Sequence, residues 1–236
     1  MTRTNLMLFS SAFFLSGCFT WKNGTDHELS DGFYTKLAFE KRSTVYAKVT
    51  GDTIRLYPAI MQNNNWSVEP TAVSDAYWQG APAYERSDFK LSRSSFDIDF
   101  LTIPVKIRPS AAGVSPQLNT SLNGAIYLGF RNDNYRIGHR PDPLKVNVRH
   151  ITHFGHSFGL FTGFGNTFMS PTNTHNRLQQ EYDGMVWNKG VAGIIGMNNL
   201  TIGLAVGFDD LLDRHSTIWI YQEKPWVGFA FGLNLN

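Results

Sequence analysis

The sequence predicts an all-β protein: an antiparallel sheet closed into a β-barrel of eight strands, preceded by an N-terminal extension that contains a β-hairpin. Three observations carry this expectation. From Phe96 to the C-terminus, short runs alternate with the period of two that marks a strand rather than a helix. In each run one row is large and apolar, while taken together the other rows are mostly Gly, Ala, Ser, Thr and Asn. Composition agrees, because 14% aromatic residues and 21 glycines against 17% charged residues suit strands and turns.

Residues 1–17 stand apart from the fold. Met7 to Cys18 (Met-Leu-Phe-Ser-Ser-Ala-Phe-Phe-Leu-Ser-Gly-Cys) is apolar but too short to cross a bilayer as a helix, which takes about 20 apolar residues. An export signal is expected there. Residues 18–43, polar and irregular around Trp21-Lys22-Asn23-Gly24, are expected to form a tether. Within residues 44–95 a hairpin is legible: Val45, Ala47 and Val49 alternate with Tyr46 and Lys48, Gly51-Asp52 supplies the turn, and Ile54 and Leu56 alternate with Arg55 and Tyr57. Residues 61–95 show no steady period.

The barrel is expected over residues 96–236, as one domain. Leu101, Ile103, Val105 and Ile107 oppose Thr102, Pro104, Lys106 and Arg108; Ile126, Leu128 and Phe130 oppose Ala125, Tyr127, Gly129 and Arg131. Phe154, Phe158, Leu160 and Phe164 oppose Gly155, Ser157, Gly159 and Gly163. The two best runs are Leu200 to Asp209 and Trp226 to Asn236, both uninterrupted. A solvated strand face normally carries Thr, Lys and Glu, whereas a row of glycines fits the inside of a narrow barrel whose outside meets lipid. A soluble, lipid-anchored sandwich with the apolar row as its core is the competing fold. Asn198-Asn199 is expected to be a tight turn, and residues 109–117, 131–145, 166–181 and 210–225 longer polar connections. Six strong runs fall short of the even strand numbers of eight or more found in bacterial barrels, so two strands must come from the 45–57 hairpin or from a division of residues 146–165.

Leu15-Ser16-Gly17-Cys18 resembles the lipobox of bacterial lipoproteins, a resemblance that implies cleavage before Cys18 and acylation of its thiol. Trp226-Val227-Gly228-Phe229-Ala230-Phe231-Gly232-Leu233 resembles the terminal-strand signal read by the outer-membrane insertion machinery, although the chain ends in Leu235-Asn236 rather than an aromatic residue. Phe100-Leu101-Thr102-Ile103-Pro104 and Trp219 to Trp226 resemble uncharacterised envelope proteins of Bacteroidetes-like bacteria, which carry no mechanism to borrow. These resemblances imply a small outer-membrane β-barrel with a lipoprotein-type signal. Its expected partners are outer-membrane lipid, the insertion machinery and an external ligand.

Net charge is only +2 and no block of like charges occurs, so the electrostatic footprint of a nucleic-acid binder is missing. Cys18 is the only cysteine, which excludes an internal disulfide and a thiolate metal cluster. His150, His153, His156 and Ser157 suggest either a metal site or a His/Ser site resembling that of barrel enzymes that deacylate lipid A. Strand geometry opposes both. His156 and Ser157 point to opposite faces, and His153 and Ser157 lie about 13 Å apart at 3.3 Å per residue, beyond the roughly 3 Å reach of a proton relay. No catalytic residue, metal site or cofactor is assigned. Asp97 and Asp99 flank Ile98 on one face, and Asp209, Asp210 and Asp213 cluster after a strong run but lack the Gly and Glu placements of an EF-hand loop; these acids read as solvated loop residues. Lys106, Arg108, Arg131 and Asp209 fall on inward rows, where they would pair with one another or line a thin aqueous path. The expected role is a non-enzymatic one in the envelope: surface binding, integrity or limited permeability.

Overall fold

Period-two runs become strands in a computed structural model, which describes residues 29–38, 41–51, 53–72, 75–78, 88–197 and 200–233. The expected signal 1–17, Cys18, Asn198-Asn199 and Leu235-Asn236 lie outside these residues. The strands are β1 (Gly32–Ala38), β2 (Lys41–Thr50), β3 (Thr53–Gln62), β4 (Asn65–Val68), β5 (Asp75–Trp78), β6 (Phe89–Arg108), β7 (Gln117–Thr120), β8 (Asn123–Pro141), β9 (Asn147–Met169), β10 (Tyr182–Met197), β11 (Leu200–Leu211) and β12 (Pro225–Leu233). All pairings between them are antiparallel.

Pairing runs β6–β8–β9–β10–β11–β12 and returns from β12 to β6, so six strands form a ring. Starting at Ser94 and crossing Asn132, His156, Ile195, Ile202 and Phe231, the register arrives at Thr102, eight residues farther along β6. The ring holds six strands where the sequence suggested eight. Neither expected source of the missing pair enters it: residues 146–165 belong to the single strand β9, and the 45–57 hairpin joins the same continuous sheet outside the ring, through β1.

That N-terminal part of the sheet, here the N-terminal sheet, can form because β6, β8 and β9, at 20, 19 and 23 residues, continue past the ends of β10–β12. On the edge of β6 that β12 uses at residues 100–107, β1 takes over at residues 90–92, and β2 and β3 follow. Leu29, Tyr34, Val45, Ala47, Ile54, Leu56, Phe89, Leu91, Ile137 and Ile151 form its core. Residues 32–38, expected in the tether, are therefore strand β1, and β4 and β5 occupy part of the stretch expected to be irregular. Residues 131–141, expected in a polar loop, complete β8. The chain reverses over Asp142–Val146, where Asp142 and Val146 exchange hydrogen bonds.

The faces fall as the alternation requires. Phe96, Ile98, Phe130, Phe158, Leu160, Leu204 and Phe229 are 50–77% exposed, while Ala125, Ala192, Ala205 and Ala230 are buried. Close approach demands the inward glycines: a Cβ at Gly159 would strike the Leu128 carbonyl, and one at Gly190 the Val206 carbonyl. One run is corrected. Leu101 and Ile103, expected with Val105 and Ile107 on the outer row, are fully buried, as are Lys106 and Arg108. Phe231 pairs with Thr102 but Phe229 with Val105, so an extra residue is accommodated around Pro104. Proline has no N–H to give the ladder, and a bulge there switches the parity of β6.

Candidate functional site

The inward rows bring polar residues together at two levels of the ring. At the first, β6, β11 and β8 place Lys106, Asp209 and Asn123 inward, and Lys106 Nζ donates to Asp209 at 2.9 and 3.1 Å and to Asn123 Oδ1 at 2.9 Å. Arg108 Nη2 donates to the same carboxylate, and Trp226 Nε1 reaches it at 2.9 Å. The Arg108 guanidinium lies 5.0 Å from the Trp219 ring and 5.4 Å from the Tyr221 ring. Three of the four candidate residues therefore pair in a buried pocket. The fourth, Arg131, is elsewhere.

Arg131 belongs to the second level, where the ring meets the N-terminal sheet. Its Nε donates to Asp133 Oδ1 at 2.9 Å, and its Nη1 lies 3.9 Å from Asp97. His153 Nε2 sits 2.7 Å from the same Asp133 oxygen, and the Tyr135 ring stacks on His153 at 4.7 Å. Asp133 Oδ1 is thus the shared acceptor of Arg131 and His153. Burial, then the Asp133 charge, pushes the Tyr135 phenol up to about 12.

The expectation that the acids are solvated fails for Asp97, Asp99 and Asp209, which are buried. Their row is the reason: Asp97 and Asp99 alternate with the outward Phe96, Ile98 and Phe100, and that alternation was visible in the sequence. Asp210 and Asp213 are half-buried and held by Lys189 and by Tyr182, respectively. His153 and Ser157 share the inner face but have separate partners, since Ser157 Oγ is 2.7 Å from the Tyr127 hydroxyl while His156 is exposed on the opposite face. Sequence reading missed Asp133 and Tyr127, which lay in a stretch taken for a loop and in an inward row counted only for its small residues.

Between the levels, Leu101, Ile103, Phe161 and Trp226 with the ring alanines fill the interior. At the end bearing residues 109–122, 170–181 and 212–224, Met169, Leu178, Val186, Leu211, Trp219, Ile220 and Tyr221 form a cap, tied by the Asn173 carbonyl accepting from the Ile220 amide. A surface hollow of about 330 Å³ lined by Pro109–Ala112, His175, Ile220, Lys224 and Pro225 contains none of the candidate residues. The interior can therefore hold charges in place, but the thin aqueous path is filled. Among the described residues, no three His, Cys, Asp or Glu side chains converge as a metal site would require. No protein family matches the chain, and no curated protein or solved structure matches it.

Proposed function

We propose that the protein is a bacterial outer-membrane protein whose six-stranded ring crosses the bilayer as a narrow, filled β-barrel, with a structural or surface-binding role rather than a catalytic or conducting one. The exposed apolar rows carry this reading. Phe, Leu, Ile and Val side chains stand outward on all six strands, with the glycines and alanines behind them. A sandwich would have used those rows as its core. In water so large an apolar surface would associate, whereas in hydrocarbon it is the required exterior.

The geometry fits a bilayer. A stagger of eight residues over six strands gives a tilt of about 45° and a backbone radius of about 6.5 Å, which leaves room mainly for Gly and Ala inside. The outward row of β9 from Phe154 to Phe164, in which His156 and Thr162 interrupt the apolar side chains, rises about 23 Å along the axis, against the roughly 25 Å band of membrane barrels. Closure leaves the ring without a free edge, as a hydrocarbon environment demands. Trp187 marks one margin of the band: its Nε1 donates to Thr162, and Lys189, paired with Asp210, lies 4.4 Å over its ring. The three longer connections share one end, while Met197 pairs directly with Leu200 at the other, matching the long outer loops and short inner turns of such barrels.

Acylation at Cys18 supplies a second attachment. Labelled palmitate should enter the wild-type protein and not Cys18→Ser; equal labelling would remove that part of the proposal. For the barrel, single spin labels in the Cys18→Ser chain decide. At Leu204 and Phe229 they should collide freely with oxygen and poorly with a water-soluble nickel reagent, and at Ala205 and Ala230 they should be shielded from both. Labels at 204 and 229 that meet nickel as readily as oxygen would end the membrane reading.

A further inference from the structure

The outward face of the N-terminal sheet is ordered in rows. Across the strands, Phe33 pairs with Tyr46 and Tyr46 with Tyr57. The Phe33 ring lies 5.2 Å edge-on to Tyr46 and 6.4 Å from Trp66, which the β3–β4 hairpin brings over it. Phe33 and Trp66 are exposed, and so is Met61, which pairs with Trp66. On one side of the aromatic row, Lys48 stands directly opposite Arg55; on the other, Lys90, Leu37 and Arg42 form a row. Like charges placed opposite each other are unfavourable unless an anion lies between or above them. Asp31 meets Lys48, and Arg55 is exposed.

This face continues the apolar band of the ring. Because β1 and β12 share one edge of β6, and Thr35 pairs with Ser92, Phe33 comes level with Ser94. The next outward residue on β6 is Phe96, which is 56% exposed. Moving outward from the ring, the surface thus changes from aliphatic and Phe residues to Phe, Tyr and Trp mixed with Lys and Arg. That is the sequence of chemistries met on leaving a bilayer, where aromatic rings settle at the headgroup level and basic side chains meet anionic phosphates.

We propose that the outward face of β1–β4 lies on the bilayer surface, with Phe33, Tyr46 and Trp66 at the boundary of headgroups and acyl chains, and Lys48, Arg55, Arg42 and Lys90 against the phosphates of anionic lipid. The inference rests on the ring being the membrane-crossing part. It makes the N-terminal sheet a membrane-lying collar rather than a free domain, and it fixes the tilt of the ring by a second point of contact.

The test uses the full Cys18→Ser chain in nanodiscs with and without phosphatidylglycerol. Nitroxides replace Tyr46 and Trp66, with Leu204 as the acyl-chain reference and Leu144, which is 82% exposed in the β8–β9 turn, as the water reference. Labels at 46 and 66 should show several-fold less nickel collision than at 144 and a depth shallower than 204. That immersion should weaken without phosphatidylglycerol or in Lys48→Glu/Arg55→Glu. If 204 is in lipid but 46 and 66 match 144, this inference is overturned and the ring reading stands. If 204 also matches 144, the ring reading fails first. Labels at 46 and 66 shielded from oxygen and nickel alike would mean a protein covers this face, which also overturns the inference.

Discussion

Replacing Asp209 by alanine removes the acid that three donors share, and the structure sets how much that should cost. Lys106, Arg108 and Trp226 all point at this carboxylate, and Lys106, Arg108 and Asp209 are each at most 1% exposed. Taking one partner from a buried pair costs about 3–5 kcal/mol, because the remaining charge keeps its desolvation penalty without its attraction. The lost indole bond adds about 1 kcal/mol. Lys106 retains Asn123, which blunts the loss, and Arg108 retains its two aromatic faces. Asp209→Ala should therefore lose about 4–5 kcal/mol. The triple change Lys106→Met/Arg108→Leu/Asp209→Leu should lose less than that single change, since it removes the charges together with their desolvation cost. Urea unfolding of the protein refolded into lipid vesicles reads both, provided the slope with denaturant is unchanged. A loss under about 1 kcal/mol for Asp209→Ala would show that water or another anion reaches Lys106 and Arg108, and the packed interior would be wrong.

Two further outcomes follow from the same geometry. Gly190→Val should block assembly, because its Cβ would meet the Val206 carbonyl and lie 2.6 Å from Gly207 Cα; Gly193→Ala, whose nearest neighbour is 4.0 Å away, should fold normally, and heat-modified migration on gels distinguishes them. Asp133→Asn, which takes the shared carboxylate from Arg131 and His153, should lower amide-exchange protection around Tyr135 and His153 at fixed pH, and unchanged protection there would show that the cluster contributes nothing to local stability.

The ring strands were legible where the large and small rows are pure. Ile202–Phe208 and Val227–Phe231 keep large residues outward and small ones inward throughout, so the orientation of these stretches follows from period two. Legibility ended where the surroundings change along a strand. Arg131 to Arg140 resembles a loop because its outward side chains have left the apolar band and its inward ones enter a polar cluster, yet the ladder to β9 runs unbroken. On β6 the bulge around Pro104 exchanged the rows, an event that period counting passes over. Lys106, Arg108 and Asp209 were recognisable as inward residues. Their meeting was not, because it depends on a register across β12, where Gly228 faces both Lys106 and Ala205.

That register is what the buried charges secure. A slip by one residue would exchange the two faces and is excluded by the lipid-sized row, but a slip by two keeps every face and alters only which small residue meets which. Glycine-rich strands resist it poorly. Moving β11 by two residues displaces Asp209 by about 7 Å from its donors, breaking its bonds to Lys106, Arg108 and Trp226 together, so the charged cluster penalises the slips that the apolar rows tolerate. Cysteines at Ile202 and Phe231, which are directly opposed, should cross-link in the Cys18→Ser chain, while cysteines at Ile202 and Val227 should not, since Val227 pairs with Val206. In the background of the triple change at Lys106, Arg108 and Asp209, slipped pairs such as 202 with 229 should gain cross-linking at the expense of 202 with 231. If the triple change leaves the cross-linking pattern untouched, the rows alone specify the register and the buried charges serve stability only.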